Sequence, residues 1–324
     1  MLYTPKKVEV IQENEYESRI CEVEETLSRY SQEGTFESFD GLNIFYRNYL
    51  VENPVGSIVI VHGFTEYCKK YTELAWYFIN QGYNVFTYDH RGHGLSERQV
   101  EGYILAHVNS FEDYVKDLEI FIEEVVVKQG GTENINIFSH SMGGSVTTLY
   151  LMRCGGRVSR ALLSSPMVYP FTNDCPITVL KLMLKQHARK TGWDARFKYA
   201  SDFNPNHPFD KSHDTSYPRF RHNLDVRLSD VRYQTSASTN RWMYEAVTVG
   251  KKMLRTKDLK KIKAKVLVIS SGADTVVRPK PQKKLADRLG CGFMKIESAK
   301  HSAFICGTPK LESYLKTVFA FFAS

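Results

Sequence analysis

Five short β-branched runs, separated by helical patterns, constrain this chain more than any other feature. They are SIVIVHG (57–63), NVFTYDH (84–90), INIFSHS (135–141), ALLSSP (161–166) and KVLVISSGAD (265–274). Continuous apolar runs of this length are expected of strands buried on both faces, as in a parallel sheet covered by helices. Helical patterns stand between them. One spans 69–81 and stops at Gly82, and another, SFEDYVKDLEIFIEEVVVKQGG, starts at Ser110 as N-cap with Glu112 and Asp113 in its first turn. A third, MGGSVTTLYLMRC, is closed by Gly155-Gly156, and two more lie near 279–289 and 309–323. FMKIES (293–298) is a last strand, and TFESFD (35–40) with LNIFYRNYL (42–50) reads as a hairpin across Asp40-Gly41. The alternation predicts the α/β class, a doubly wound, mostly parallel sheet.

One stretch breaks the rhythm. From about 167 to 240 the strand pattern disappears and Pro, Asn, His and aromatic residues become dense. It opens on ITVLKLMLKQHARK, with Ile177, Leu180, Met183 or Leu184, and His187 on one helical face, and closes near the helical RWMYEAVTVGKKML. An insertion of that length is expected to be a cap rather than a loop. It should sit over the carboxyl ends of the strands, where open α/β sheets bind their ligands. The expected organisation is an acidic lead-in (1–33), a first core part (34–166), the cap (167–256) and a second core part (257–324).

At 42% hydrophobic and 24% charged, the 324 residues fit a folded globular chain. No stretch approaches the roughly 20 apolar residues of a membrane span, and MLYTPKKVEVIQENEYESRI lacks the apolar core of a secretory signal, so a cytoplasmic location is expected. Six dispersed cysteines without a C-x-x-C pair read as reduced thiols, which disfavours a metal site or a cysteine nucleophile. Residues 1–33 hold eight Glu against four Lys or Arg, which leaves the remainder at +11 in a chain of net +7. Two basic clusters, Lys181 to Lys198 and 251–265, fit either a solvated face or a surface for anionic lipid or phosphate. No recognition motif for nucleic acid accompanies them.

The chemistry-bearing residues stand at strand ends. Ser141, in SHSMGGS, lies on a turn between a strand and a helix, where the neighbours two positions away must be small; Ser139 and Gly143 are. A serine there is either a nucleophile lifted by the helix N-terminus or only a helix start. Asp274 closes the KVLVISSGAD run, and His301 in ESAKHSAF is the only histidine downstream of it. The order Ser, acid, His is one in which Ser-His-Asp devices occur. His62-Gly63-Phe64 ends another strand, so the Phe64 and Met142 N–H groups could form an oxyanion hole. His62, His90 and His93 lie upstream of the serine and read as supports for loops under the site.

These motifs carry a resemblance. HGFTEYCKKY (62–71), YDHRGHGLSER (88–98), SHSMGG (139–144), SGADTVV (271–277) and AKHSAF (299–304) resemble the monoacylglycerol lipase and lysophospholipase L2 branch of the α/β-hydrolases. PRFRHNLDVRLSD (218–230) resembles the cap of the lysophospholipase version, and the likeness runs over roughly 35–324, leaving the acidic lead-in unassigned. The resemblance implies an eight-stranded sheet with helices on both faces and a largely helical cap after strand six. It implies Ser141 as nucleophile, Asp274 as acid, His301 as base, Phe64 and Met142 as oxyanion donors, and no metal or organic cofactor. The expected substrate is a small-molecule or lipid ester, lysophospholipid or monoacylglycerol, with peripheral contact to anionic membrane. Leu180, Leu184, Trp193 and Phe197 either line an acyl slot or pack the cap onto the core. A short-chain carboxylesterase, an aminopeptidase-like hydrolase and a non-catalytic binding protein on the same fold are the alternatives.

Overall fold

The computed structural model describes residues 5–7, 9–130, 132–172, 175–210 and 216–324. Eight strands form one sheet: β1 (Ser31–Glu37), β2 (Asn43–Tyr49), β3 (Gly56–Val61), β4 (Tyr83–Tyr88), β5 (Ile135–His140), β6 (Val158–Ser164), β7 (Lys265–Ser271) and β8 (Gly292–Ile296). Their spatial order is β1-β2-β4-β3-β5-β6-β7-β8. The β1–β2 and β2–β4 pairings are antiparallel and all the others parallel. The expected mostly parallel, eight-stranded sheet is what forms. Every residue of β3, β4 and β5 is buried, as their uninterrupted apolar runs require.

Each face of the sheet carries its own core. On one side lie α1 (Tyr16–Ser28), α2 (Thr72–Asn80) and the C-terminal helix (Thr308–Ala323), whose Ile20, Phe78 and Phe319 meet Ile58, Ile60 and Phe138. On the other, Leu118 of the helix Phe111–Phe121, Val146 of the helix Met142–Arg153 and Leu285 of the helix Pro279–Leu289 meet Val59, Val61 and Ile137. Alternate side chains along one strand thus feed two cores.

The acidic lead-in belongs to this body. Tyr16, Ile20, Val23 and Leu27 of α1 recur at helical spacing and are all buried, while Glu17, Glu22, Glu24 and Glu25 stand at positions outside that stripe. Among the described residues, the insertion between β6 and β7 holds three α-helices, Ile177–Thr191, Tyr217–Ser229 and Asn240–Arg255. The last is strongly amphipathic and buries Trp242, Ala246, Val249 and Met253 in the core beside the sheet, so the insertion is keyed into the fold at its C-terminal end.

Candidate active site

The turn after β5 is tight enough to need an unusual backbone. Ser141 has φ +51° and ψ −118°, a region costly for a residue with a side chain. It caps the helix Met142–Arg153, and its N–H donates to the Ser164 carbonyl (3.1 Å) while its carbonyl accepts from Met167 N–H (2.8 Å). These bonds to the end of β6 and the segment just after it hold the strained residue in place. A methyl at Gly143 would collide with the carbonyl oxygens of Val61 and His62, so β3 crosses directly over the start of this helix. Ser139, one residue inside the strand, is fully buried, and its hydroxyl donates to the Leu162 carbonyl (3.2 Å).

Three residues far apart in sequence meet here. Ser141 Oγ lies 2.9 Å from His301 Nε2, and His301 Nδ1 lies 2.7 Å from Asp274 Oδ2. The Asp274 carboxylate can only accept, so Nδ1 carries the proton and the Nε2 lone pair faces the serine hydroxyl. The other Asp274 oxygen accepts from Val276 N–H (2.8 Å) and Val277 N–H (3.0 Å), which fixes the carboxylate in the turn after β7. Its side chain has no exposure, whereas that of His301 retains 15%.

The turn after β3 closes the other side. A methyl on Gly63 would lie 3.0 Å from Ser141 Cβ, so only a bare backbone lets this loop approach the serine. Among the described residues no backbone carbonyl accepts from the Phe64 or Met142 N–H. Beneath the loop, His62 Nε2 accepts from His90 N–H (2.8 Å), which leaves Nδ1–H to donate to the Gly63 carbonyl (2.7 Å). Asp89 accepts from Cys68 N–H (2.5 Å) and Leu95 N–H (2.7 Å), and the buried Arg91 guanidinium is held by Asp117 (2.7 Å) and Asp40 (2.8 Å). Thus the DHRGHG loop braces the turn and takes no part in the serine–histidine–aspartate contacts.

Sequence reading missed Glu66. Its carboxylate is buried and accepts from Gly63 N–H, Tyr71 Oη and Lys70 Nζ, each at 2.6 Å, and from His140 Nδ1 at 3.0 Å. Burial alone would push this carboxyl up, but the His140 ring and the Lys70 ammonium hold it well below the usual carboxylate range. A glutamate three residues past a glycine turn carries no sequence signal of burial; only the fold reveals its partners.

The cap residues divide. Leu180, Leu184 and Phe197 line a cavity of about 240 Å³ with Met183, His187 and Tyr199, and among the described residues its walls come from 180–199. Trp193 packs elsewhere, 4.3 Å under the Arg241 guanidinium and 5.3 Å from the Tyr244 ring. Phe64 packs on Trp242 with ring centroids 3.9 Å apart and ring planes tilted by 30°, so the insertion's last helix touches the turn beside Ser141. Among the described residues no group of three or more His, Cys, Asp or Glu could hold a metal ion, and no helix is long and apolar enough to cross a membrane. All six cysteines are unpaired, and burial pushes the Cys154 thiol up to about 12 and those of Cys291 and Cys306 to about 11.

Comparison with known proteins agrees with this architecture. A family model described as serine aminopeptidase, S33 matches residues 52–304. Lysophospholipase L2 of Escherichia coli K12 is 29% identical over 231 residues, 70% of this chain and 66% of the relative, so the match spans just under two thirds of that protein. Monoacylglycerol lipase of Mycolicibacterium smegmatis is 29% identical over 154 residues, 47% of this chain and 53% of the relative. A crystal structure of a soluble variant of monoglyceride lipase from Saccharomyces cerevisiae shares the fold, with a TM-score of 0.69 at 21% identity over 90% of this chain and 95% of that one.

Proposed function

Because the chain belongs to the serine aminopeptidase S33 family of α/β-hydrolases, we propose that it is a serine hydrolase cleaving carboxylic esters of lipids, lysophospholipid or monoacylglycerol. The observation that carries this reading is the continuous chain from Ser141 Oγ through His301 to Asp274, at 2.9 and 2.7 Å, on a strained turn. In the first step His301 Nε2 takes the serine proton as Oγ attacks the acyl carbonyl. Asp274 stabilises the imidazolium that results. The oxyanion rests on the Phe64 and Met142 amides, the second of them at the positive end of a helix. His301 then protonates the departing alcohol. Water, activated by the same histidine, releases the fatty acid from Ser141.

The lipid substrate class is supported by the names of the relatives and by the character of the cap. The helix Ile177–Thr191 exposes Val179, Leu182 and Met183 among Lys181, Lys185 and Lys190, a pattern suited to the surface of an anionic bilayer. We propose that the cap face meets such a membrane peripherally while the body stays in the cytoplasm. The family model's description keeps an aminopeptidase-like activity as the second reading. A fluorophosphonate probe is expected to label the wild type and not Ser141→Ala; a label that survives the substitution sinks the nucleophile. A panel of monoacylglycerols, lysophospholipids, graded p-nitrophenyl esters and aminoacyl amides then separates the substrate classes. Best turnover on acetate, butyrate or aminoacyl substrates overturns the lipid reading.

A further inference from the structure

Glu66 is a carboxylate placed where it costs most to keep one, and its partners lie on both sides of the site. Removing a carboxylate from water costs several kcal/mol unless paired groups replace the solvent. Here the replacements are Gly63 N–H, Tyr71 Oη, Lys70 Nζ and His140 Nδ1. Two of these lead to the reacting groups. Gly63 is the residue before Phe64, and its backbone faces Ser141. His140 immediately precedes Ser141; its ring lies 4.7 Å from the His301 ring, and its Nε2 is 3.3 Å from the His301 carbonyl oxygen. The ring also packs on Phe304, 5.0 Å away on the same loop as His301. The Glu66 Oε2 atom therefore touches the loop carrying one proposed oxyanion donor and, through one imidazole, the loop carrying the proposed base.

We propose that Glu66 is a positioning residue that sets the donor turn and the His301 loop in register across Ser141, with His140 as its relay. The inference rests on the serine-hydrolase reading. An anchor of this kind acts on the reaction step rather than on substrate capture, because misplacing reacting groups by about an ångström can cost about 100-fold in rate. Glu73 serves as the comparison: it too is a buried carboxylate, but its ion pair is with Arg219, and none of its hydrogen bonds reaches the turn at Ser141.

The test compares Glu66→Gln, His140→Gln and Glu73→Gln with the wild type on p-nitrophenyl butyrate, with kcat expressed per site titrated by a fluorophosphonate. Expected for Glu66→Gln is a 10- to 100-fold fall in kcat with KM within threefold; His140→Gln falls less, and Glu73→Gln keeps the wild-type kcat on its folded fraction. A kcat within threefold of wild type in folded Glu66→Gln, or a loss confined to KM, overturns the proposal. Should Glu66→Gln fail to fold, His140→Gln decides: a lowered kcat at unchanged KM supports the relay, and an unchanged kcat overturns it. A wild type that takes no label at Ser141 refutes the hydrolase reading instead, which keeps the two failures apart.

Discussion

Arg219 of the cap and Glu73 of α2 form an ion pair shut away from solvent, with Nη2 and Oε1 2.7 Å apart. The same guanidinium donates to the Ile11 carbonyl (2.9 Å) and lies 4.7 Å over the Tyr16 ring, while Tyr77 Oη donates to Glu73 (2.7 Å) and accepts from Ile11 N–H (3.0 Å). One buried cluster thus ties the lead-in, the sheet-covering helix and the cap together. Arg219→Met leaves the Glu73 carboxylate buried without its cation, and breaking such a pair from one side costs about 3–5 kcal/mol. Urea unfolding should show a loss of that size, and limited proteolysis should cut first within residues 9–28. A variant as stable as wild type would mean that the pair is dispensable.

Acid should destabilise the fold from just below neutrality, before most carboxylates titrate. His62, His90 and His93 are all fully buried; burial lowers each, and in His90 and His93 the neighbouring histidine rings lower it further. His93 is held down at about 3. The unfolded chain has histidines near 6.5, so below that value it binds protons the folded chain refuses. Their contribution is therefore complete above about pH 6.5 and is lost as pH falls from there toward the depressed folded values, with a slope of up to about 1.4 kcal/mol per pH unit per histidine. Glu66 adds a loss of the same sign in a lower window, below its ordinary value of 4.5. Urea midpoints between pH 7.5 and 5 should decline steadily, and His93→Asn should flatten the decline. A flat wild-type profile would contradict the assignment.

Much of this architecture was written in local pattern. Strands buried on two faces have little choice but to be continuous apolar runs, so β3 to β7 are visible as SIVIV, NVFTY, INIF, ALLS and KVLVIS. The turns that end them carry Gly63, Ser141 and Asp274, and chain order suggested which histidine to pair with them. What escaped is what depends on tertiary burial. The glutamates of residues 1–33 suggested a separate acidic segment, yet Tyr16, Ile20, Val23 and Leu27 form a core stripe, because the charge lies on the face turned outward. Glu66, Glu73 and Arg219 look like surface charges in sequence; each is buried because its partner arrives from a distant part of the chain. Trp193 is aromatic like Phe197, but its ring lies under the Arg241 guanidinium and outside the cavity lining that Phe197 joins.

Gly143 should tolerate no side chain. A methyl there meets the carbonyls of Val61 and His62, backbone atoms at the end of a central strand and the turn after it, which cannot swing away as a side chain could. Overpacking of this kind costs about 1–3 kcal/mol. The strain would relax by pushing the Met142–Arg153 helix from β3, and with it the Met142 amide from the turn at Phe64. Gly143→Ala is expected to lose stability in urea and to react with a fluorophosphonate at least tenfold more slowly. Wild-type labelling in a folded variant would show that the two amides need no fixed spacing.

Ser139 tests how small the residue two before the serine must be. Its hydroxyl bonds the Leu162 carbonyl inside the sheet, and its side chain is fully enclosed between β3 and β6. Replacing it by glycine removes that bond, worth about 0.5–1.5 kcal/mol, and adds the flexibility of glycine in a strand, about 0.5–1 kcal/mol. Neither change moves Ser141, whose backbone is held separately by Ser164 and Met167. Ser139→Gly should therefore lose about 1–2 kcal/mol in urea unfolding while labelling within threefold of wild type. Ser139→Val puts a second branch into the same enclosure and removes the hydroxyl bond to the Leu162 carbonyl. It should lose more stability than the glycine variant and slow labelling as well, since the strand can make room only by shifting the turn. Equal labelling rates in the two variants would show that the space around residue 139 does not govern the geometry of Ser141.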